Sequence, residues 1–507
     1  MVILLTPQPK IHRTAEENLG IGYLASALRN EGHQVKIIDS WLLGMNNSQI
    51  LEQIFKAGQV TAIGISCYKS SLDEVKELIQ LLRSSGITAS IIAGGYGPSF
   101  FPNDFLSAGC DFVIKGEAEK TLVGFIKALV AKKSISIVNE RDRIINGEFS
   151  DDLDNLSFPA RDTISRSITL FNPISISTSR GCRGNCKFCS IKAFVKQAKV
   201  APWRGRSVDN IVDEIESLYK EYQVDCFKIV DDSFLEPPRD LLWVKKFVLE
   251  LERRHLAIRF RTQIRADRLN KEIVETMARA GWFATSIGIE NGSKTALERM
   301  GKRATYEDNC RALELLESYG IYTQMGMILF DNQTSMLELQ ENLEFLEKQK
   351  WVTTKGIFTE MFAAKDTLFT IELERQGFLK PGTEGNNGYD LQDASVAIVY
   401  RSLKQWHKSH AEIYDHVVNP ICVPKVLPSI GYDSYHQLCR QLYDQDISFF
   451  SQLLEKTSSG FSEDKIGEFT QKEIERANSW YESVEQHAQS LDRTYNISYD
   501  AILNPFL

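Results

Sequence analysis

Sixteen residues, Ser175 to Ser190, read SISTSRGCRGNCKFCS and place Cys182, Cys186 and Cys189 in a C-x3-C-x2-C spacing. Three thiols within eight residues form an open cup. A structural zinc site wants four ligands in two pairs, and no second C-x2-C or H-x3-H follows at the usual distance. Nine cysteines is an odd number, and the chain shows no secretory signal, so a disulfide framework is not expected. With Gly181 and Gly184 letting the backbone fold round, three thiolates suit three irons of a [4Fe–4S] cluster. The fourth iron then takes a ligand from outside the protein.

The loop resembles the signature of radical S-adenosylmethionine (SAM) enzymes. In that family the methionyl amine and carboxylate of SAM occupy the fourth iron, and an electron from the reduced cluster yields a 5′-deoxyadenosyl radical. Phe188 matches the family's aromatic position, whose neighbouring backbone meets the adenine. The resemblance makes Cys182, Cys186 and Cys189 the cluster ligands and catalytic centre.

Strand and helix patterns alternate around this loop, which predicts a partial (β/α)6 barrel of the triosephosphate isomerase type over residues 170–381. The strands are read at SISTS, Asp225–Asp232, Ile258–Asp267, Thr285–Ser293, Tyr322–Phe330 and Thr354–Phe362. Active residues of such barrels stand at the strands' carboxyl ends. Asp231, Asp232 and Ser233 end the second strand, where the family binds the methionyl amine. Gln263 and Arg265 close the third, and the Arg265 fork matches a carboxylate. Glu290 and Ser293 in GIENGS resemble the GIESGS stretch of relatives that contacts the cofactor. Gly326–Phe330 resembles the G-x-I-x-G strand, with Phe330 replacing its second glycine. Where relatives often have P-G-T, this chain has Ala364, Lys365, Asp366 and Thr367. Trp203, Arg204 and Arg206 read as the approach to a helix capped by Ser207.

Ahead of the barrel, residues 1–132 alternate short apolar runs with amphipathic stretches, which predicts a doubly wound parallel sheet. Its ligand belongs beyond the strands' carboxyl ends. Ser66, Tyr68, Gly94, Gly95, Gly97, Gly116 and Glu117 lie in those loops. The stretches LGIGYLASALRNEGHQVKIID, AGGYGPSFFP and CDFVIKGEAEKTL resemble, in order, the cobalamin-binding domain found ahead of many radical SAM domains. The D-x-H-x-x-G motif that supplies histidine to cobalt is absent, so His12 and His33 read as loop and turn residues. Residues 133–169 read as a linker, and residues 382–507 as a mostly helical substrate or cap domain. There His407 and His410, at i and i+3, read as packing residues. Cys422 and Cys439 default to buried thiols.

A net charge of −8 over 507 residues argues against an obligatory nucleic-acid partner. No apolar run reaches membrane-spanning length, so a cytoplasmic location is expected. The resemblance implies three cofactors: a [4Fe–4S] cluster, SAM and cobalamin. It also implies a small-molecule substrate from natural-product or cofactor biosynthesis and an electron donor such as flavodoxin or ferredoxin. The reaction expected is cobalamin-dependent methylation of an unactivated carbon. The alternative is a cyclisation, rearrangement, oxidation or epimerisation without methyl transfer, with cobalamin absent or used otherwise; an iron–sulfur redox sensor is a more distant one.

Overall fold

A computed structural model of the chain describes residues 1–9, 16–131, 140–197, 200–380, 388–422 and 425–497. His12 and most of the turn PGTEGNNG lie outside the described residues, as does the side chain of Cys422. The first unit is a six-stranded parallel sheet of β1 (Val2–Leu5), β2 (Val35–Ile38), β3 (Ala62–Ser66), β4 (Ser90–Gly94), β5 (Phe112–Lys115) and β6 (Ile144–Asn146), in the order β2-β1-β3-β4-β5-β6. Both faces are covered. Ile3, Ile63 and Ile91 pack into one apolar layer, and Leu4, Ile92 and Ile114 into the other. Two-sided burial is why these strands read as unbroken apolar runs. The sixth strand comes from the stretch read as linker. It pairs in parallel with β5 through Val113 and Ile144.

The second unit follows β7 (Ile174–Ile176). A small antiparallel hairpin, β8 (Ser179–Gly181) with β9 (Trp203–Gly205), brackets the cysteine loop. Then come β10 (Cys226–Ile229), β11 (Arg259–Arg265), β12 (Trp282–Glu290) and β13 (Tyr322–Met327), which form a parallel sheet in the order β13-β12-β11-β10-β7. The sixth expected strand reaches this sheet only through two isolated bridges, Gln324 to Thr353 and Phe330 to Glu360. Gly356, at φ +85, interrupts it; a Cβ there would lie 2.4 Å from Nδ1 of His407.

Ile176, Phe227, Phe260, Ile287 and Met325 join the main hydrophobic core. Their strand neighbours Ser175, Lys228, Arg261, Ser286 and Gln324 alternate onto the opposite, lumenal face. Arg261 bonds to Ser286 and to Gln324 at 2.8 Å. Lys228 and Ser175 both donate to Glu16, at 2.6 and 3.0 Å.

Helices Ala394–Ser409, Ala411–Cys422, Ser429–Ser458 and Glu463–Tyr495 share the barrel's core. Tyr432 meets Phe283 and Tyr322 at the starting ends of β12 and β13. Arg259 donates to the Leu427 carbonyl at 2.9 Å. Phe330 is fully buried between Phe358 and Tyr400, which explains why it replaces a motif glycine. His407 stacks on Tyr414 and His410 on Tyr481. Cys439 donates to the Val417 carbonyl inside the helical core. No helix among the described residues is long and apolar enough to cross a membrane.

Candidate active site

The cysteine loop is tied down at its start. Buried Asp231 accepts from the Thr178 amide at 2.6 Å and the Ser179 hydroxyl at 2.7 Å, with Arg239 at 3.6 Å. It is a brace between β7 and β10, not a lumen-facing group as expected. Gly181, at φ +87, is required: a Cβ there would lie 2.2 Å from the Pro202 carbonyl oxygen. A Cβ on Gly184 would lie 3.2 Å from the Cys182 sulfur and 4.0 Å from the Cys186 sulfur. Both thiols therefore face the same turn. Cys189 precedes helix Ser190–Val195, and the amides of Ile191 and Lys192 favour its thiolate.

Burial pushes all three thiols up, Cys182 to about 12. Bound iron would overcome this, because a coordinated thiol loses its proton. Among the described residues no three metal-binding side chains converge on one ion position. A [4Fe–4S] cube takes one thiolate per iron, so three thiols on one turn-rich loop, two of them about the Gly184 turn, suit it. They do not fit a single zinc ion.

The remaining candidates divide. Asp232 accepts the Gly181 amide at 3.0 Å, and enclosure pushes its carboxyl up to about 6. The buried Ser233 hydroxyl has no partner among the described residues, and its carbonyl accepts from Trp203. Gln263 is exposed, with its backbone carbonyl holding the Phe234 amide. Arg265 forks onto Asp267 at 2.9 and 2.7 Å and reaches Glu236 at 3.2 Å. Glu290 pairs with Lys302 at 2.8 Å. Gly288 and Gly326 stand side by side in register below it. Ser293 is turned away: it is buried ahead of helix Lys294–Arg299, with its amide bonded to Asn291 at 2.8 Å. The Phe188 ring packs against a small core that includes Met300, Met361 and Phe369.

Facing the cysteine loop, a cavity of about 380 Å³ opens beyond the carboxyl ends of the first sheet. Ser66, Tyr68, Gly94, Gly95, Gly116 and Glu117 line it from the first sheet. Gly181, Ile191, Phe194 and Asp232 line it from the cluster side. A Cβ on Gly94 would meet nothing nearer than the Ile114 carbonyl oxygen at 3.8 Å, so this floor is bare. Gly116, at φ +85, makes room for the Phe149 ring. Gly97 serves packing instead, because a Cβ there would strike the Tyr68 backbone at 2.4 Å. Among the described residues none that lines it is a histidine; His33 follows helix Leu19–Asn30 in a turn.

Sequence reasoning missed three features of this cavity. Trp41, Tyr68, Tyr96 and Phe194 form a stacked ladder with centroids 5.5, 6.5 and 4.7 Å apart, running from the first sheet to the helix after Cys189. Arg180 reaches Glu119 at 2.7 Å and Glu117 at 3.2 Å. Arg204 reaches Glu117 at 2.6 Å. Arg180 stands beside the first cluster cysteine, a position that could have marked it. A bare glycine floor beside an aromatic wall fits a flat macrocycle.

Two family models match, in the order of the two sheets. One, described as B12 binding domain, covers residues 13–126; the other, the Radical SAM superfamily, covers residues 176–346. The chain is a radical SAM enzyme with a B12-binding domain. Its cofactors are the [4Fe–4S] cluster, SAM and cobalamin. An uncharacterized methyltransferase of Pyrococcus horikoshii is 25% identical to this radical SAM chain over 368 residues, 69% of the chain and 78% of that relative. The 4′-phospho-dehydrooxetanocin synthase of Priestia megaterium is 29% identical over 366 residues, 65% of the chain but about half, 48%, of that relative. The solved structure of OxsB, a cobalamin-dependent S-adenosylmethionine radical enzyme with aqua-cobalamin and S-adenosylmethionine bound, shares the fold. Its TM-score is 0.78 at 20% identity, covering 99% of this chain and 81% of that one. A radical SAM enzyme also needs a reductant and a small-molecule substrate.

Proposed function

We propose that this enzyme transfers a methyl group to an unactivated carbon of a small molecule. The observation that carries the reading is the shared cavity, lined at once by the strand-end loops of the first sheet and by the cysteine loop. When bound, the cluster and SAM supply a 5′-deoxyadenosyl radical, and cobalamin supplies a methyl group. Cys182, Cys186 and Cys189 would each hold one iron. Arg265 would meet the methionyl carboxylate, and Asp232 and Ser233 its amine. Gln263 and Glu290 would flank the nucleoside, with Gly288 and Gly326 leaving it room. Ser66, Tyr68, Gly94, Gly95, Gly116 and Glu117 would hold cobalamin. The aromatic ladder would keep water from the space between the cofactors.

The working division of the chain is 1–132 for cobalamin, 133–169 as a linker that lends Ile144–Asn146 to the first sheet, 170–381 for the radical domain and 382–507 as a helical substrate or cap domain. A flavodoxin or ferredoxin would supply the electron. The acidic balance suits a cytoplasmic enzyme without a nucleic-acid partner.

A second reading is supported by one relative's name: the 29% identical protein is a synthase, not a methyltransferase. Under it the radical drives a ring closure or rearrangement. The test needs no substrate. Protein reconstituted anaerobically with iron, sulfide and hydroxocobalamin is desalted, assayed for cobalt, then given titanium(III) citrate and SAM. Methyl transfer expects retained cobalt and about one S-adenosylhomocysteine per bound cobalamin, beside 5′-deoxyadenosine. 5′-Deoxyadenosine without S-adenosylhomocysteine favours the second reading. Cys186→Ala should lose the cluster absorbance and bring 5′-deoxyadenosine to the protein-free control; retained turnover would sink both readings.

A further inference from the structure

Glu236 has no exposed surface, although it lies only four residues past Asp232. Its Oε1 stands 3.4 Å from the Cys182 sulfur and 3.2 Å from Nη1 of Arg265, and its Oε2 stands 3.2 Å from Arg268. Arg265 in turn is clamped by Asp267, and its Nη1 lies 3.3 Å from where a Gly184 Cβ would be. Two carboxylates and two guanidiniums thus form a neutral set against one cluster cysteine. A buried carboxylate is costly unless paired, and apolar residues of similar size would fill the space at no such cost. The brace on Asp231 already fixes the loop, so the fold does not need this charge.

We propose that Glu236 is a positioning residue that, through Arg265 and Arg268, sets the reduction potential of the [4Fe–4S] cluster. Iron–sulfur potentials follow net charge, hydrogen bonding to sulfur and solvent exposure, and partners just outside the ligands tune them. A negative charge beside Cys182 favours the oxidised cluster and makes the reduced one a stronger donor. Arg268 opposes it from the far side, while Arg265 stays pinned beside the cysteine loop. The sign of the potential shift should therefore depend on which charge is removed.

The test is an EPR-monitored potentiometric titration of the reconstituted holoenzyme, with iron and sulfide content checked first. Glu236→Gln keeps the size and one acceptor but removes the charge, and its midpoint should move to more positive potential. Arg268→Met removes a positive charge from the same set, and its midpoint should move to more negative potential. A merely structural role would not give opposite signs. A zero shift in either variant, or shifts of one sign in both, overturns the proposal. If Glu236→Gln does not take up the cluster, Arg268→Met decides alone: a negative shift supports the proposal, and no shift or a positive one overturns it.

Discussion

At the end of β12, Glu290 holds a left-handed backbone at φ +69 and faces Lys302, whose side chain is 5% exposed. Removing one partner of a buried pair leaves an uncompensated charge and costs about 3–5 kcal/mol. Glu290→Ala should lose that much stability in a urea titration, while Glu290→Asp should retain part of it. Within the same six residues, GIENGS, sequence reading treated Glu290 and Ser293 alike. Their separation depends on Asn291, which accepts from the Asn342 side chain at 2.9 Å across fifty-one residues of chain. No local pattern carries such a contact. Asp231 and Asp232 split for the same reason, one bracing Thr178 and the other lining the cavity. Asp366 is a further case: at φ +63 it holds a left-handed turn that aspartate tolerates better than most residues.

Strand-end glycines act at the scale of elements. Gly94→Val adds volume over the bare end of β4 without forcing a left-handed backbone, so the sheet should fold normally. A clash of about 1.4 kcal/mol is a tenfold loss of affinity, and cobalamin retention after gel filtration should fall by at least about that factor with cluster content unchanged. The strands of the first sheet were legible because burial on both faces leaves a continuous apolar signature. β6 was not, because three residues at a sheet edge, Ile144 to Asn146, carry too little pattern. The interrupted sixth barrel strand was over-read for the opposite reason. Thr354–Phe362 has strand composition, but the break at Gly356 answers to His407, a residue of another element.

Across the whole molecule, the two sheets are joined by buried charge. Glu117 of the first unit holds Arg204 and Arg180 of the second, with the Arg204 side chain 4% exposed. Glu117→Ala should cost about 3 kcal/mol or more and separate the thermal transitions of the two units in calorimetry. In the C-terminal helices, His416 lies between Glu485 at 2.7 Å and Asp492 at 2.6 Å. Burial lowers its pKa, but both carboxylates outweigh burial and raise it overall. A raised folded value means that its stabilisation is complete below the ordinary histidine range near pH 6.5 and fades as pH climbs through the folded value. His416→Gln should therefore lower the unfolding free energy from a urea titration at pH 6 by about 1–3 kcal/mol for a lost charged hydrogen bond. The difference from wild type should shrink at pH 9. This trio, like the ladder from Trp41 to Phe194, joins residues far apart in sequence and lay beyond local reading, whereas the cysteine spacing is contained in eight residues.

The barrel lumen has a consequence for how such an enzyme could change its work. Its strands spend their apolar side chains on the surrounding helices, and the layer of Ser175, Lys228, Arg261, Ser286 and Gln324 is held by hydrogen bonds and by the Lys228–Glu16 ion pair. Replacing an uncharged one of these side chains alters polarity and shape inside the lumen without opening a void in the packed wall. Polarity and packing are thus assigned to opposite sides of the same strands, and libraries that vary only the uncharged inward positions Ser175, Ser286 and Gln324 should keep most members folded.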